Sequence, residues 1–171
     1  MNKDLFLFKQ SDQTNLKAIF NCVNRSYSLE KDGGPFSFKN CDRYTDFLEV
    51  KQAFKKGCFI SILHKKTHVI VATLYYFIQG DSLYIGPLAV LPDFSKQGLG
   101  SFLLNQAEII GREKGCDSVV LYVLDARTDL FDFYLKKGYI CINNELPTTV
   151  IDISPSQLTR PVKACMFKKL L

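Results

Sequence analysis

Apolar residues in the first third of the chain follow first a strand and then a helix pattern. Residues 5–8 form a short apolar run that predicts a strand. Between residues 16 and 27, apolar side chains recur every three or four positions, which predicts an amphipathic helix capped by Ser11 or Asp12. A second helix with the same periodicity is predicted over about residues 43–55.

Three strands are predicted in the middle of the chain. Residues 58–63 and 68–78 are rich in β-branched and aromatic side chains, and Lys65-Lys66-Thr67 between them predicts a hairpin. Residues 83–91 form the third strand, which Gly86-Pro87 interrupts. Because proline cannot donate to a ladder and glycine relaxes the backbone, we expect a bulge or a splay at this point.

Helix and strand patterns alternate over the second half of the chain. The predicted elements are helix 98–114, strand 118–124, helix 128–137, strand 139–142 and strand 164–170. With the early hairpins, this order predicts an α/β domain with a mixed sheet of about seven strands and four helices. The sheet is expected to be antiparallel early and to contain a parallel pair in its middle. The 171 residues fit a single domain over residues 1–171.

Composition and charge exclude several classes of protein. A hydrophobic content of 47% is sufficient for a sizeable core, and no apolar run approaches the ~20 residues that cross a membrane. The net charge of +5 is spread along the chain without a basic run. We therefore expect neither a nucleic-acid nor a membrane partner, although the basic excess favours an anionic ligand.

The six cysteines predict neither a metal site nor a disulfide framework. They are widely and irregularly spaced, with no C-x-x-C pair. The even number would allow disulfides, but no secretory signal is visible near the N-terminus. We expect reduced, mostly buried thiols in a cytoplasmic protein without a metal.

The stretch from Gly86 to Ser101 carries the most chemical information. It predicts a strand, a short loop and a helix that begins at two glycines, Gly98 and Gly100. The first amides of a helix lack internal acceptors and lie at the positive end of its dipole, so an anion fits there. Lys96 would add a charge. The G-x-G pattern alone also fits tight packing of helix against strand, and the P-loop and Rossmann patterns are absent.

In its context, this stretch resembles the acetyl-CoA-binding signature of GNAT N-acetyltransferases. Val90-Leu91-Pro92 and Gly98-Leu99-Gly100 match the family pattern, whereas Ser95 occupies the family's Gln/Arg position. The resemblance implies a GNAT acyl-CoA N-acyltransferase fold with acetyl-CoA as cosubstrate and no metal. The implied contacts to acetyl-CoA are Leu88, Ala89, Val90, Ser95, Lys96, Gln97, Gly98, Leu99, Gly100, Ser101 and Arg127.

A second match lies downstream, at residues 130–139. It resembles the family's A-x-x-[FL]-Y-x-x-x-G-[FY] helix and places Tyr134 at the position of the general-acid tyrosine. Arg127 replaces an asparagine that is common seven residues earlier. From spacing alone, an aromatic side chain that fills a helix–sheet interface is the favoured interpretation of Tyr134, and the motif around it favours the catalytic role.

The resemblance implies direct attack of an amine on the acetyl thioester. The backbone of Leu88 and Val90 would pair with the pantetheine arm, and the Leu88 N–H would hold the thioester oxygen. The expected acceptor is the primary amine of a small molecule, bound by a monomer or a homodimer. Two alternatives are open: a protein N-terminal or lysine acetyltransferase, and a catalytically weak, CoA-binding regulatory domain.

The general base and the acceptor pocket are less defined. Candidate bases are Glu30, Asp32, His68, Asp81 and Asp125, each of which also fits a structural role, and a chain of waters is an alternative. By resemblance, the loop over residues 30–43 covers the acceptor, with Phe36 and Phe38 as pocket or anchor residues. Tyr75, Tyr76 and Phe77 alternate between the faces of their strand, so one face would line the acceptor cleft.

Overall fold

The computed structural model describes residues 2–28, 43–146 and 161–171. These residues form seven strands and four α-helices, in agreement with the predicted fold class. They are β1 Phe6–Gln10, α1 Leu16–Ser28, α2 Phe47–Lys56, β2 Cys58–His64, β3 Ile70–Gln79, β4 Ser82–Val90, α3 Leu99–Glu113, β5 Ser118–Leu124, α4 Thr128–Leu135, β6 Ile140–Leu146 and β7 Ala164–Leu170. Short 3-10 turns at Gln13–Asn15 and Pro92–Phe94 precede α1 and α3.

All seven strands join one sheet in the order β1-β2-β3-β4-β5-β7-β6. The β4–β5 pair is parallel and every other neighbouring pair is antiparallel. The predicted parallel pair in the middle of the sheet is therefore confirmed. It is connected by α3, as a parallel crossover requires.

The four helices cover the two faces of the sheet in pairs. Gly111 of α3 faces Leu83 of β4 and Val119 of β5, and Phe131 and Tyr134 of α4 pack on Phe167 of β7, which lies on the same face. On the opposite face, α1 and α2 pack over β2, β3 and β4. In β5, residues on both faces of the strand are buried, in agreement with its near-continuous apolar sequence.

The second helix begins four residues later than the sequence predicts. Asp46 is its N-cap, and the Asp46 side chain accepts a hydrogen bond from the Leu48 amide at 3.1 Å. Just before it, Tyr44 is buried, and both backbone groups of Tyr44 pair with the Asn24 side chain at 2.8 and 3.0 Å. This pairing with α1 holds the chain out of helical geometry before Asp46.

The interruption predicted at Gly86-Pro87 is confirmed as a bulge in β4. Leu74 pairs with Leu88 and Tyr76 pairs with Ile85, so Gly86 and Pro87 together oppose the single residue Tyr75. A Cβ on Gly86 would lie 2.6 Å from Cδ1 of Tyr75, so only glycine allows that ring to pack here. The ladder between β4 and β5 stops at the pair Ile85–Leu121, and beyond it the two strands are no longer paired.

The described cysteines are all free thiols. Cys22, Cys116 and Cys165 are buried, as expected, but Cys141 is exposed because β6 is the last strand of the sheet. None of the described helices is both long enough and apolar enough to cross a bilayer.

Candidate active site

A cleft of about 590 Å³ lies where β4 and β5 part. It is lined by the β4 bulge, the start of α3, the end of β5, the start of α4 and the end of α1. Eleven of the predicted site residues line it: Leu88, Ala89, Val90, Ser95, Lys96, Gly98, Leu99, Gly100, Ser101, Arg127 and Tyr134. The twelfth, Gln97, is exposed and does not line the cleft.

The β4 backbone presents unpaired groups to this cleft. The Leu91 amide donates to Val71 O on β3 at 2.8 Å. Because successive residues of a strand direct their amides to opposite edges, the amides of Leu88 and Val90 are directed away from β3, toward the gap beside β5. The ladder to β5 has ended before these residues. The cleft therefore has an open strand edge along one side, which an extended molecule can pair with.

Unpaired amides also face the cleft at the start of α3. The first helical hydrogen bond is donated by Phe102 to Gly98 O at 2.9 Å, so the amides of Leu99, Gly100 and Ser101 have no acceptor within the helix. All three residues line the cleft. With the helix dipole, they form a site suited to an anion such as a diphosphate.

The loop before α3 has a backbone that few sequences adopt. Lys96 and Gly98 have φ angles of 59° and 76°, both in the left-handed region. Glycine adopts this region freely, whereas lysine there costs roughly 1 kcal/mol. Such strain is often found where a backbone is shaped for a ligand. The turn directs the chain from β4 into α3 so that the amides of α3 face the gap.

Tyr134 lies in the same cleft, at the far end of α4. The side chain is buried against Phe133, Tyr139 and Phe167, yet the described residues offer its hydroxyl no hydrogen-bond partner. Burial raises the pKa of Tyr134 well above its ordinary value, Tyr27 raises it further, and Arg127 partly opposes the shift. The phenol is thus held protonated at neutral pH, as a proton donor must be.

Arg127 lies immediately before α4. Its guanidinium donates twice to the Asp129 carboxylate, with both nitrogen–oxygen distances at 2.9 Å. These hydrogen bonds lower the pKa of Asp129. Arg127 also lines the cleft, where its paired hydrogen bonds to the Asp129 carboxylate hold the guanidinium in place.

The described candidate bases do not line the cleft. His68 lies exposed in the β2–β3 turn, Asp81 in the β3–β4 turn, and Asp125 is exposed just after β5. Glu30, Asp32, Phe36 and Phe38 lie outside the described residues. Among residues 2–28, 43–146 and 161–171, no group of three or more His, Cys, Asp and Glu side chains is arranged to hold a metal ion.

Sequence reasoning missed two tyrosines of the cleft. Tyr27, on α1, was assigned only to an apolar helix face, and Tyr122, on β5, only to a buried strand; both line the cleft. Tyr122 directly follows Leu121, the last β5 residue paired with β4, and this register is visible only in the structure. Tyr27 and Tyr134 come from opposite faces of the sheet, so the cleft passes between β4 and β5 and connects the two faces.

A comparison with models of protein families identifies the family of this chain. Residues 17–139 match the model described as the acetyltransferase (GNAT) family. The chain belongs to this acetyltransferase family. The match covers the split strand, the α3 start and the Tyr134 helix, which are the elements that build the cleft of this GNAT protein.

Among curated proteins, this GNAT chain is similar to thialysine N-epsilon-acetyltransferases. It is 33% identical to the pig (Sus scrofa) enzyme and 32% identical to the cattle (Bos taurus) enzyme, in each case over 69 residues. The match spans 38% of this chain and 41% of each relative, well under half of their length.

Solved structures share the whole fold at low sequence identity. The ribosomal-protein-S18-alanine N-acetyltransferase from Escherichia coli superposes with a TM-score of 0.72 at 16% identity, covering 97% of this chain and 94% of that one. The PaiA N-acetyltransferase from Thermoplasma acidophilum, solved with coenzyme A, gives a TM-score of 0.68 at 15% identity, covering 97% and 99%. These likenesses establish the GNAT fold of the chain.

Proposed function

We propose that this protein transfers the acetyl group of acetyl-CoA to the primary amine of a small molecule. The single observation that carries the proposal is the cleft itself: an open β4 edge, three unpaired helix amides and a protonated tyrosine converge on it. The similarity to thialysine N-epsilon-acetyltransferases favours a small amine as acceptor.

Acetyl-CoA would bind along the open edge of β4. Its diphosphate would accept hydrogen bonds from the amides of Leu99, Gly100 and Ser101, with the charge of Lys96 close by. The pantetheine arm would pair with the backbone of Leu88 and Val90, as an added strand does. The acetyl thioester would then lie in the gap beyond Ile85, next to Tyr134.

In the reaction, the amine nitrogen forms a bond to the acetyl carbon and the carbon–sulfur bond breaks. The Leu88 amide would stabilise the negative charge on the carbonyl oxygen. Tyr134 would donate its proton to the departing sulfur, the amine proton would leave to water, and Tyr134 would regain a proton from water to complete the turnover. A thiol has an ordinary pKa of about 8.5, below that of a phenol. Because burial raises the pKa of Tyr134 further above that of the thiol, the proton would move only once negative charge has built up on the sulfur. Until then, the Tyr134 hydroxyl would stabilise the sulfur by a hydrogen bond.

An assay that follows both products of the reaction tests the proposal directly. The purified protein is incubated with acetyl-CoA and a panel of amines, and release of free CoA thiol is followed together with the mass of the acetylated product. The proposal expects amine-dependent CoA release with small amines. If only peptides with a free N-terminus or lysine are acetylated, the acceptor class is wrong. If acetyl-CoA raises the melting temperature but no amine or peptide is acetylated, a regulatory CoA-binding domain is indicated instead.

A further inference from the structure

A row of aromatic side chains crosses the sheet on the face that carries α1 and α2. Phe77 of β3 and Tyr84 of β4 are register partners, and their rings stack with centroids 5.3 Å apart and planes 14° apart. Tyr75 lies 6.0 Å from Phe77 on the same face. Tyr122 of β5 extends the row, because Tyr84 pairs with Val120 and Tyr122 is two residues further along the same face.

The row leads into the cleft. Tyr122 lines the cleft at the point where β5 leaves β4. Gly86, which is two residues after Tyr84, also lines it, and the Tyr75 ring fills the space where a Cβ would be. Burial raises the pKa of Tyr122 and the neighbouring Tyr84 hydroxyl raises it further, so the two phenols are within electrostatic reach.

The outer part of the row is not core. Phe77, Tyr84 and Tyr122 are each half-buried, whereas Tyr75 is buried under α2, and its hydroxyl donates to Ala53 O at 3.0 Å. Tyr75 therefore anchors the row, Tyr122 lines the cleft, and Phe77 and Tyr84 continue the row from Tyr122 with part of their ring surface accessible. Stacked rings with exposed faces attract either planar aromatic groups or cations.

A nearby lysine favours a planar aromatic group over a cation as the partner of these rings. Lys168 of β7 is the register partner of Val120, so it lies on the same face as Tyr84, one strand beyond β5. Lys168 makes no ion pair with any other residue in the described part of the chain. Its positive charge repels a second cation on the acceptor, which disfavours polyamines.

We propose that the acceptor of this enzyme is a primary amine attached to a planar aromatic group, which stacks on the row formed by Phe77, Tyr84 and Tyr122. The amine then enters the gap at Gly86 from the α1–α2 face, while acetyl-CoA occupies the side of α3. This inference rests on the proposed acetyltransferase function and specifies the substrate class of the same site. An anionic substituent on the aromatic amine would be tolerated beside Lys168.

The test compares acceptors that match in size but differ in planarity. Wild-type kcat/KM is measured for 2-phenylethylamine, 2-cyclohexylethylamine and spermidine. We expect 2-phenylethylamine to exceed its cyclohexyl analogue by about tenfold, as the loss of ring stacking alone would give. Because this comparison uses the unmodified protein, its outcome does not depend on the folding of any variant.

Two variants at Tyr84 test whether the aromatic row causes the preference for the phenyl amine over the cyclohexyl amine. Tyr84→Phe keeps the ring and should keep the preference for the aromatic amine. Tyr84→Leu should lower the phenyl-to-cyclohexyl ratio of kcat/KM about threefold to tenfold, with the Kd of acetyl-CoA unchanged. Ile78→Ala is the matched control, because Ile78 is an exposed residue of β3 next to Phe77 but on the opposite face. It should leave the ratio unchanged.

The outcomes separate this inference from the proposed function. Equal use of the cyclohexyl amine, a preference for spermidine, or an unchanged ratio in Tyr84→Leu would overturn the aromatic acceptor while leaving the acetyltransferase activity intact. Absence of CoA release with every amine would overturn the proposed function itself, and this inference with it.

Discussion

The Tyr139 hydroxyl donates a hydrogen bond to Oε1 of Glu108 at 3.2 Å, in the interior between α3 and the end of α4. The other oxygen of this carboxylate accepts from Lys169 Nζ at 2.8 Å, and the ammonium also lies over the Tyr139 ring. Tyr139 in turn packs edge-on against Tyr134. A buried carboxylate with two donors thus joins α3, α4 and β7 behind the proposed catalytic tyrosine.

Loss of the Lys169 ammonium beside Glu108 should destabilise the protein more than loss of the Tyr139 hydroxyl. Lys169→Met leaves the Glu108 carboxylate buried without its ammonium, which we expect to cost about 2 kcal/mol, since Lys169 is one-quarter exposed. Tyr139→Phe removes a single hydrogen bond and should cost about 1 kcal/mol. Urea unfolding measures both, and Lys168→Met is the control, with no expected change. Equal stability of Lys169→Met and wild type would show that the ion pair contributes nothing.

Gly86→Ala should destabilise the fold through Tyr75. The added methyl would lie 2.6 Å from the Tyr75 ring, so the ring or the β4 bulge must shift, at a cost of about 1–3 kcal/mol. Thermal unfolding should show this loss, and the companion change Tyr75→Leu should recover part of it. A Gly86→Ala protein with wild-type stability would mean that the bulge does not depend on this close contact.

Much of this architecture is predictable from local sequence, because each element carries its own signal. The β4 bulge follows from Gly86-Pro87, and the parallel pair follows from an apolar strand on either side of an amphipathic helix. The α2 start is different: the hydrogen bonds between Asn24 and Tyr44 join residues 20 apart, and no local pattern reports them. The residues of β4 and α3 that we propose to bind acetyl-CoA are predictable for the same reason as the bulge, since they lie on one short stretch.

The acceptor side of the cleft could not be derived from the sequence. Tyr27 and Tyr122 come from two separate elements, and both line the cleft only because of strand register and the gap beyond Ile85. In the sequence, each is one aromatic residue within an apolar pattern. The same limit explains why His68, Asp81 and Asp125 were candidates: their residue type fitted a base, but the sheet places them outside the cleft.

Stability should fall at alkaline pH. Burial raises the pKa of Tyr44, Tyr134 and Tyr139 above the ordinary value of 10, and it raises the pKa of Cys22 to about 12 and that of Cys165 to about 11. These groups are neutral in the folded state and ionise more readily when unfolded. Their contribution is therefore complete below the unfolded pKa values, about 9 for the thiols and 10 for the phenols, and is lost as the pH rises above them.

The measurement for this prediction is the free energy of unfolding in urea with reductant, from pH 8 to pH 11. We expect a decrease that begins near pH 9 and steepens above about pH 10. A double variant, Cys22→Ala with Cys165→Ala, removes the earlier part of the decrease and leaves the tyrosine part. A free energy of unfolding that stays constant to pH 11 would contradict the burial of these groups.

Gly100→Ala should weaken the binding of acetyl-CoA without unfolding the protein. An added Cβ would lie 3.5 Å from Leu88 and 3.7 Å from Val90, both ordinary contacts, so the fold accommodates it. The methyl would, however, occupy the cleft beside the unpaired amides. We expect the Kd of acetyl-CoA, measured by calorimetry, to rise about tenfold, as the loss of one or two hydrogen bonds gives. An unchanged Kd with an unchanged melting temperature would place the diphosphate elsewhere.

Tyr134→Phe should lower kcat by about a hundredfold and leave the Kd of acetyl-CoA unchanged. The ring keeps its packing, since the described residues give the hydroxyl no partner to lose. Tyr122→Phe is the matched control, because it removes a hydroxyl from another cleft tyrosine and should change kcat less than about threefold. Full activity of Tyr134→Phe near neutral pH would remove Tyr134 from the mechanism.

The central claim is that unpaired amides at the start of α3 bind the diphosphate while the parted strands direct the thioester toward Tyr134. A crystal structure with acetyl-CoA tests this most directly. We predict diphosphate oxygens about 3 Å from the amide nitrogens of Leu99, Gly100 and Ser101, and the sulfur beside the Tyr134 hydroxyl. Acetyl-CoA bound away from α3, or a thioester outside the gap between β4 and β5, would contradict the claim.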